Sequence, residues 1–525
     1  MARSWIVALL LLAASLSSSH GLRILGIFPL QGKSHFIMGE ALMRGLAAKG
    51  HRVDVYSHFP LKKPIPNYTD YSLAGTLPAL ANNMSFNYMN SITGVGSMSK
   101  DMELIGNPVC ELLNLPIFQN LIKNPPNDPP YDLIIIEMFL SNCYLALGPH
   151  LNVPMVSMVT TSLFEWMYRP LGNPSRLAVE PTMYSGAHHP MSFKDRVRNV
   201  LLSHYSECSF NAEARKSQNA VVERAFGPGT TDVIDLQKEI SLTLVNYHHA
   251  LNGVRAFTPS VVPVGGIHIF ENEDNALPVK IKKFMDESKD GFVYVSFGSM
   301  VQLETFPEHD LKELYASFKN IAPIRVVMKI AKPELLPSGL PSNVVTHSWL
   351  PQVQVLKHKN IKAFVTHGGL MGTQESIYYG VPLIGFPLFG DQHFNIDSYT
   401  KKNLAIRLDR YNIKEETLTA AIKEIINNPQ YKNSADKASK AFRDAPLSPL
   451  NTAIYWVEYI AKHGKYSLRS PIVNLPWWQA SLLDVYAFLA TIFMLLVVTL
   501  YKLVAILLKL IFKFQKSKPR KMKKK

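Results

Sequence analysis

Cysteine is scarce in this chain: three among 525 residues, Cys110, Cys143 and Cys208, all in the first half. So low and odd a count excludes a disulfide framework, and the spacing fits no zinc site. One bridge is compatible with the count, and the sequence does not say which two residues form it. Asp-x-Asp pairs are missing altogether. A metal-bridged diphosphate draws on clustered carboxylates, so no metal and no other cofactor is expected. No repeat of solenoid period is visible. Finally, no acidic residue follows Asp484, whereas nine lysines and arginines lie between Lys509 and Lys525. The net charge of +15 is therefore mostly a property of one end, and it gives no reason to expect nucleic acid as a partner.

What is present is a chain long enough for two domains, 47% hydrophobic and 18% charged. Arg3, the apolar run Trp5–Ala14 and the small residues Ser15–Ser19 read as a cleavable signal peptide over residues 1–20. Val485–Tyr501 carries no charge, and Leu503–Leu508 continues the apolar run after Lys502. About 20 apolar residues cross a bilayer, so a transmembrane helix is expected at 482–504. Trp477 and Trp478 stand where an aromatic belt would be. The basic tail at 505–525 then belongs on the cytosolic side, and the body that precedes the helix in the lumen. Lys521 and Lys523 resemble a dilysine retrieval signal, which points to a single-pass protein of the endoplasmic reticulum membrane. Asn67-Tyr68-Thr69 and Asn83-Met84-Ser85 are glycosylation acceptors on that topology.

Arg23–Phe28 reads as a buried strand, the stretch from His35 to Lys49 as a helix and Val53–Tyr56 as the next strand, a βαβ opening. Asp132–Ile136 and Met155–Val159 continue the sheet. Pro60–Pro130 and Asn173–Ile234 have irregular spacing, read as variable and partly helical, and are expected to shape an acceptor pocket. Asn246–Asp290 looks like an interdomain connection. A second alternation then runs through Phe292–Phe297, Arg325–Ile330, Val344–Thr346, Ala363–Val365 and Leu383–Phe386. The expected division is 21–260 and 261–465, two Rossmann-like α/β domains, followed by a linker at 466–481.

Trp349 to Gln392 holds the densest chemistry. Trp349 offers a flat face for a base, and Gln352 donates to and accepts from its edge. Gly368, Gly369 and Gly372, after the strand and Thr366-His367, let backbone approach a ligand where a helix start suits a diphosphate. Glu375 is placed to accept from ribose hydroxyls, and Asp391 and Gln392 from those of a hexose. In order and spacing this stretch resembles the signature of the UDP-glycosyltransferases, W-x-P-Q through H-G-G, E and G-D-Q.

That resemblance spans essentially the whole chain. It implies the GT-B fold, two facing Rossmann-like domains with the donor nucleotide in the second, and a UDP-sugar and a small lipophilic acceptor as partners. It places the catalytic base at His35; read alone, a histidine at a helix start is more often a cap. It also places a supporting carboxylate at Glu137, where most relatives carry aspartate, and donor-phosphate contacts at Ser299, Thr366 and His367. Arg255 matches a family arginine that does not decide the sugar, and Tyr455–Ala461 is expected to cross back to the first domain, as in relatives. Met371 stands where many relatives have asparagine, so that contact would fall to backbone or to Thr373. The function implied is inverting, metal-independent hexosyl transfer, first from UDP-glucose, in detoxification or in hormone or metabolite conjugation. The alternatives are a ceramide- or sterol-glycosylating enzyme, a UDP-sugar epimerase, and a non-catalytic membrane-tethered binder of lipophiles.

Overall fold

The computed structural model describes residues 21–78, 80–92, 98–182, 185–187, 190–269 and 276–516. The expected signal peptide and the dilysine pair lie outside them. Two parallel sheets organise the body. The first is built from β1 (Arg23–Phe28), β2 (Arg52–Ser57), β3 (Tyr68–Ser72), β4 (Leu133–Glu137), β5 (Met155–Val159), β6 (Ile240–Val245) and β7 (Val261–Pro263). The second is built from β8 (Phe292–Ser296), β9 (Arg325–Lys329), β10 (Val344–His347), β11 (Ile361–Thr366), β12 (Leu383–Gly385) and β13 (Ala405–Arg407). Their strand orders are 3-2-1-4-5-6-7 and 10-9-8-11-12-13. Every residue of β1, β4, β5 and β8 is buried. Helices cover both faces of such sheets, which is why the central strands are apolar runs rather than alternating ones.

Each order reverses direction once, between β1 and β4 in the first sheet and between β8 and β11 in the second. At such switch points a crevice opens beyond the carboxyl ends of the strands, and ligands bind there. His35 follows β1 and Glu137 ends β4; Ser299 follows β8 and His367 follows β11. Four residues singled out in the sequence thus fall on two crevices.

Several elements differ from expectation. The strands β3, β6, β7 and β13 were not anticipated, because strands of three to six residues are too short for a pattern to stand out. β7 pairs with β6, so the first sheet runs past residue 260 into the expected connection. In line with its partly helical reading, the Asn173–Ile234 region contains a helix, Phe193–Phe226, whose 34 residues are opened by a capping box between Ser192 and Asp195. As expected for Tyr455–Ala461, helix Pro449–His463 returns to the first sheet, where Ala453, Ile454, Val457 and Ile460 join Ile24, Leu133 and Leu242 in one core. Cys110 and Cys143 are bridged, and Cys208 is free and exposed.

Residues 470–525 form a separate compact unit. It holds one helix, Leu483–Lys516, long and apolar enough by length and composition to cross a membrane. At 1.5 Å per residue its 34 residues extend about 51 Å. The helix therefore continues well past the expected end at 504, through Lys509 and Lys513.

Candidate active site

His35 is the third residue of the helix Lys33–Ala48, which starts directly after the loop leaving β1. Its backbone N–H donates to Gly32 O at 3.1 Å, fixing the first turn. The ring Nδ1 lies 2.9 Å from Glu137 Oε1 and 2.7 Å from the Thr160 hydroxyl oxygen. Thr160 in turn donates to Glu137 Oε1 at 3.4 Å. An Nδ1–H shared between the carboxylate and the hydroxyl fixes the tautomer, which leaves Nε2 as the basic nitrogen. Phe139 packs edge-on against the imidazole, with ring centroids 4.7 Å apart. Glutamate's extra methylene thus does not prevent the contact an aspartate would make. Its second oxygen, Oε2, is buried without a hydrogen-bond partner. Thr160 was missed in the sequence, although it directly follows β5 at the same sheet edge.

Across the crevice, the second sheet presents an ordered set. Gly298 adopts φ +77°, and a Cβ there would stand 2.8 Å from the ring of His367. A Cβ on Gly369 would lie 2.7 Å from the same ring, so these two glycines let His367 occupy the crevice floor. Gly369 is the N-cap of helix Leu370–Tyr378. The Thr366 hydroxyl lies 3.3 Å from His367 Nδ1 and accepts from Gly368 N–H at 3.4 Å, so it braces the histidine. Burial, followed by the Lys329 charge, lowers the His367 pKa to about 3. Any help it gives a departing phosphate in the free enzyme's protonation state is therefore a neutral N–H donor's, not a cation's.

Lys329, the last residue of β9, was also missed; a lysine closing the apolar strand Arg325–Lys329 was the available signal. Its Nζ donates to Gly298 O at 2.7 Å and to Asn82 Oδ1 at 2.5 Å, and it lies 5.5 Å from the centre of the Trp349 ring. Burial lowers its pKa to about 8, with Glu304 opposing the shift. Lys329 thereby joins Trp349, 45% exposed, to the Gly298–His367 contact within the span of one nucleotide.

Gln352 Nε2 donates to Glu375 Oε2 at 2.6 Å, and a Cβ on Gly372 would approach that amide to 3.0 Å. Burial raises the Glu375 pKa to about 7, and the Gln352 bond works against it. His268 Nε2 stands 3.5 Å from the other Glu375 oxygen. Burial lowers the His268 pKa to about 4, so it is neutral.

Asp391 does not cap its helix; it accepts from Asn395 Nδ2 at 2.9 Å. Burial raises its pKa, and the hydrogen bond from Asn395 is the largest effect opposing that rise. Gln392 differs from expectation. Its Oε1 accepts from the Leu388 and Phe389 N–H groups at 2.9 and 3.0 Å, because that loop's amides lack other acceptors. It is thus not free to accept from a sugar hydroxyl. The Thr373 hydroxyl donates to Leu370 O inside its own helix, so it does not replace the missing asparagine. Met371 packs against the first sheet's core, and its carbonyl accepts from His268 at 3.3 Å. Asp391, Asn395 and Arg255 border a pocket walled by Leu163, Phe164 and Phe394.

Comparison with known proteins agrees with this arrangement. Residues 88–518 match the family model described as UDP-glucoronosyl and UDP-glucosyl transferase. UDP-glucosyltransferase 2 of Dactylopius coccus is 33% identical over 492 residues, covering 93% of each chain. UDP-glucuronosyltransferase 1A3 of Rattus norvegicus is 28% identical over 531 residues, covering 94% of this chain and 93% of the other. Among solved structures, Phytolacca americana UGT2, complexed with UDP-2fluoro-glucose and pterostilbene, superposes with a TM-score of 0.57 at 17% identity. That alignment covers 84% of this chain and all of the other, and it shows the shared GT-B fold. With two parallel α/β sheets, a crevice at each switch point and a family match over most of its length, this chain belongs to the UDP-glycosyltransferases.

Proposed function

We propose that this glycosyltransferase moves a hexosyl group from UDP-glucose, with inversion and without a bound metal, onto a hydroxyl or acid of a small lipophilic molecule. The observation that carries the reading is the His35–Glu137–Thr160 cluster, joined through Phe139 to Phe164, which lines the same pocket as Asp391. A histidine oriented by a carboxylate through Nδ1 is the arrangement a general base needs. The acceptor oxygen bonds to the anomeric carbon as its proton passes to His35 Nε2. The anomeric carbon–oxygen bond to UDP breaks on the opposite face, and UDP departs with that electron pair. His367, Lys329 and the N–H groups opening helix Leu370–Tyr378 stabilise the charge gathering on UDP. Trp349 holds the uracil, Glu375 the ribose and Asp391 the sugar hydroxyls, with Ser299 at the phosphates.

UDP-glucose is favoured because an insect relative at 33% identity is named a glucosyltransferase. The apolar pocket walls at Leu163, Phe164 and Phe394 favour a lipophilic acceptor. Helix Leu483–Lys516 serves as the membrane anchor, with the body in the lumen of the endoplasmic reticulum and Asn67 and Asn83 carrying glycans. Detoxification or metabolite conjugation is the role this combination serves. Glu137 meets His35, and Met371 is a packing residue, so neither departure from the family pattern argues for a non-catalytic binder.

The test is product formation by microsomes holding the full chain, with UDP-glucose, UDP-glucuronate and UDP-galactose against a panel of phenols, read by mass. Wild type is expected to glucosylate at least one phenol. His35→Ala and Glu137→Gln are expected to lower kcat by about 100-fold or more with little change in UDP affinity. Undiminished turnover by His35→Ala removes the base assignment.

A further inference from the structure

The segment from Leu80 to Met89 lies in the sequence between β3 and β4, yet much of it is seated on the second sheet's half of the molecule. It begins beside the base: Leu80 bridges to Gly32, and Leu80 N–H donates to Gln31 O at 2.9 Å. From there it crosses to the loop after β8. Asn82 N–H donates to Ser299 O at 2.8 Å, and the Asn83 and Met84 N–H groups donate to Met300 O at 3.2 and 3.0 Å. Gln302 N–H returns a bond to Met84 O at 3.0 Å. Met84 and Met89 are buried in the core of the second sheet with Val295 and Phe306, and Phe86 packs 4.9 Å from the Phe306 ring. These contacts hold Asn82 in place and hold it in the left-handed region, at φ +51°.

From that position Asn82 Oδ1 accepts from Lys329. An ammonium carries three donors. In Lys329 one points at Gly298 O and a second at Asn82 Oδ1, which leaves the third for the space bounded by Gly298, His367 and the Trp349 face. A lysine side chain has many rotamers and little reason to hold one. Removing one acceptor frees the ammonium to turn away or to spend its free donor elsewhere.

We propose that Asn82 is a positioning residue of the donor site: supplied by the first half of the chain, it aims Lys329 at the diphosphate of the UDP-sugar bound by the second. The inference rests on the donor reading of the Trp349–His367 crevice given above. It makes donor affinity depend on a segment that the family's glycine- and histidine-containing signature does not include. It also links the loop before His35 to the phosphate loop through ten residues of one chain.

Direct titration of the full-length protein with UDP tests this, using a double-mutant cycle on Asn82 and Lys329. Asn82→Gly keeps the left-handed backbone without strain and removes only the acceptor. It is expected to weaken UDP binding about tenfold and, because Lys329 also meets the charge gathering on UDP, to lower kcat/KM for UDP-glucose by at least that factor. Asn82→Ser, with a shorter oxygen, is expected to fall between Asn82→Gly and wild type; it also serves should the glycine variant fail to fold. Lys329→Met is expected to weaken UDP binding as well, and adding Asn82→Gly to it to do nothing more. Equal weakening by Asn82→Gly in both backgrounds overturns the proposal, since it would act on the fold and not through Lys329. An unaffected Asn82→Gly beside a weakened Lys329→Met overturns it too, while leaving the donor site standing. Unchanged UDP binding in Lys329→Met removes the lysine from the donor site and the proposal with it.

Discussion

Glu375 shows how burial sets the chemistry of a single side chain. Burial holds its carboxyl near pKa 7, so about half the molecules are protonated there at neutral pH without ligand. In the donor site proposed above, ribose hydroxyls donate to Glu375 and only the carboxylate accepts from both, so nucleotide binding there favours the ionised form. UDP-glucose affinity is therefore expected to fall as pH drops below about 7, approaching tenfold per pH unit, and Glu375→Gln to flatten that dependence. Calorimetric titration between pH 8 and pH 5.5, without acceptor, checks this; a flat wild-type profile contradicts it. The stability contribution has the matching sign. The folded pKa is raised, so the term is present below the unfolded value near 4.5 and is lost as pH rises through about 7. Gln392 makes the complementary point, because its oxygen serves the loop Leu388–Phe389 and not a ligand.

Among elements, helix Pro449–His463 illustrates a long-range packing decision. It lies nearly two hundred residues after β7 in sequence and still packs on the first sheet, with Leu450 and Ile454 against Gly45, where a Cβ would come within 2.8 Å of Leu450. Ile454, 3% exposed, fills that contact. Ile454→Ala is expected to cost about 2–5 kcal/mol, read as a lower midpoint in denaturant unfolding of the full chain. No loss of stability would mean that this helix is not docked as described. Short edge strands behave differently. β7 and β13 have three residues each and exist because a neighbouring strand offers unpaired backbone groups, a cause no local pattern records.

For the whole molecule, the body up to Arg469 and the unit from Ser470 onward are distinct. A chain ending at Arg469 is expected to leave the membrane fraction on alkaline carbonate washing, whereas the full chain stays, and to keep its UDP affinity within about twofold. Retention of the truncated chain would show that the body carries a second membrane attachment.

Local chemistry was legible where it repeats at short range. The run Arg23–Phe28, the strand Met155–Val159, the His367–Gly369 turn and the apolar stretch from Val485 all announce themselves within a few residues, because apolar runs, glycines and charges act on their immediate neighbours. The helix start carrying His35 and the strand end carrying Glu137 were legible for the same reason. What required the tertiary structure were the encounters between distant segments. Thr160 against His35, Lys329 between Gly298 and Trp349, Asn82 reaching across from the other half, and the choice of Cys110 and Cys143 as partners all belong to this class. Their causes are hydrogen-bond satisfaction and close packing among groups from tens to hundreds of residues apart, and the order of residues along the chain does not by itself encode those distances.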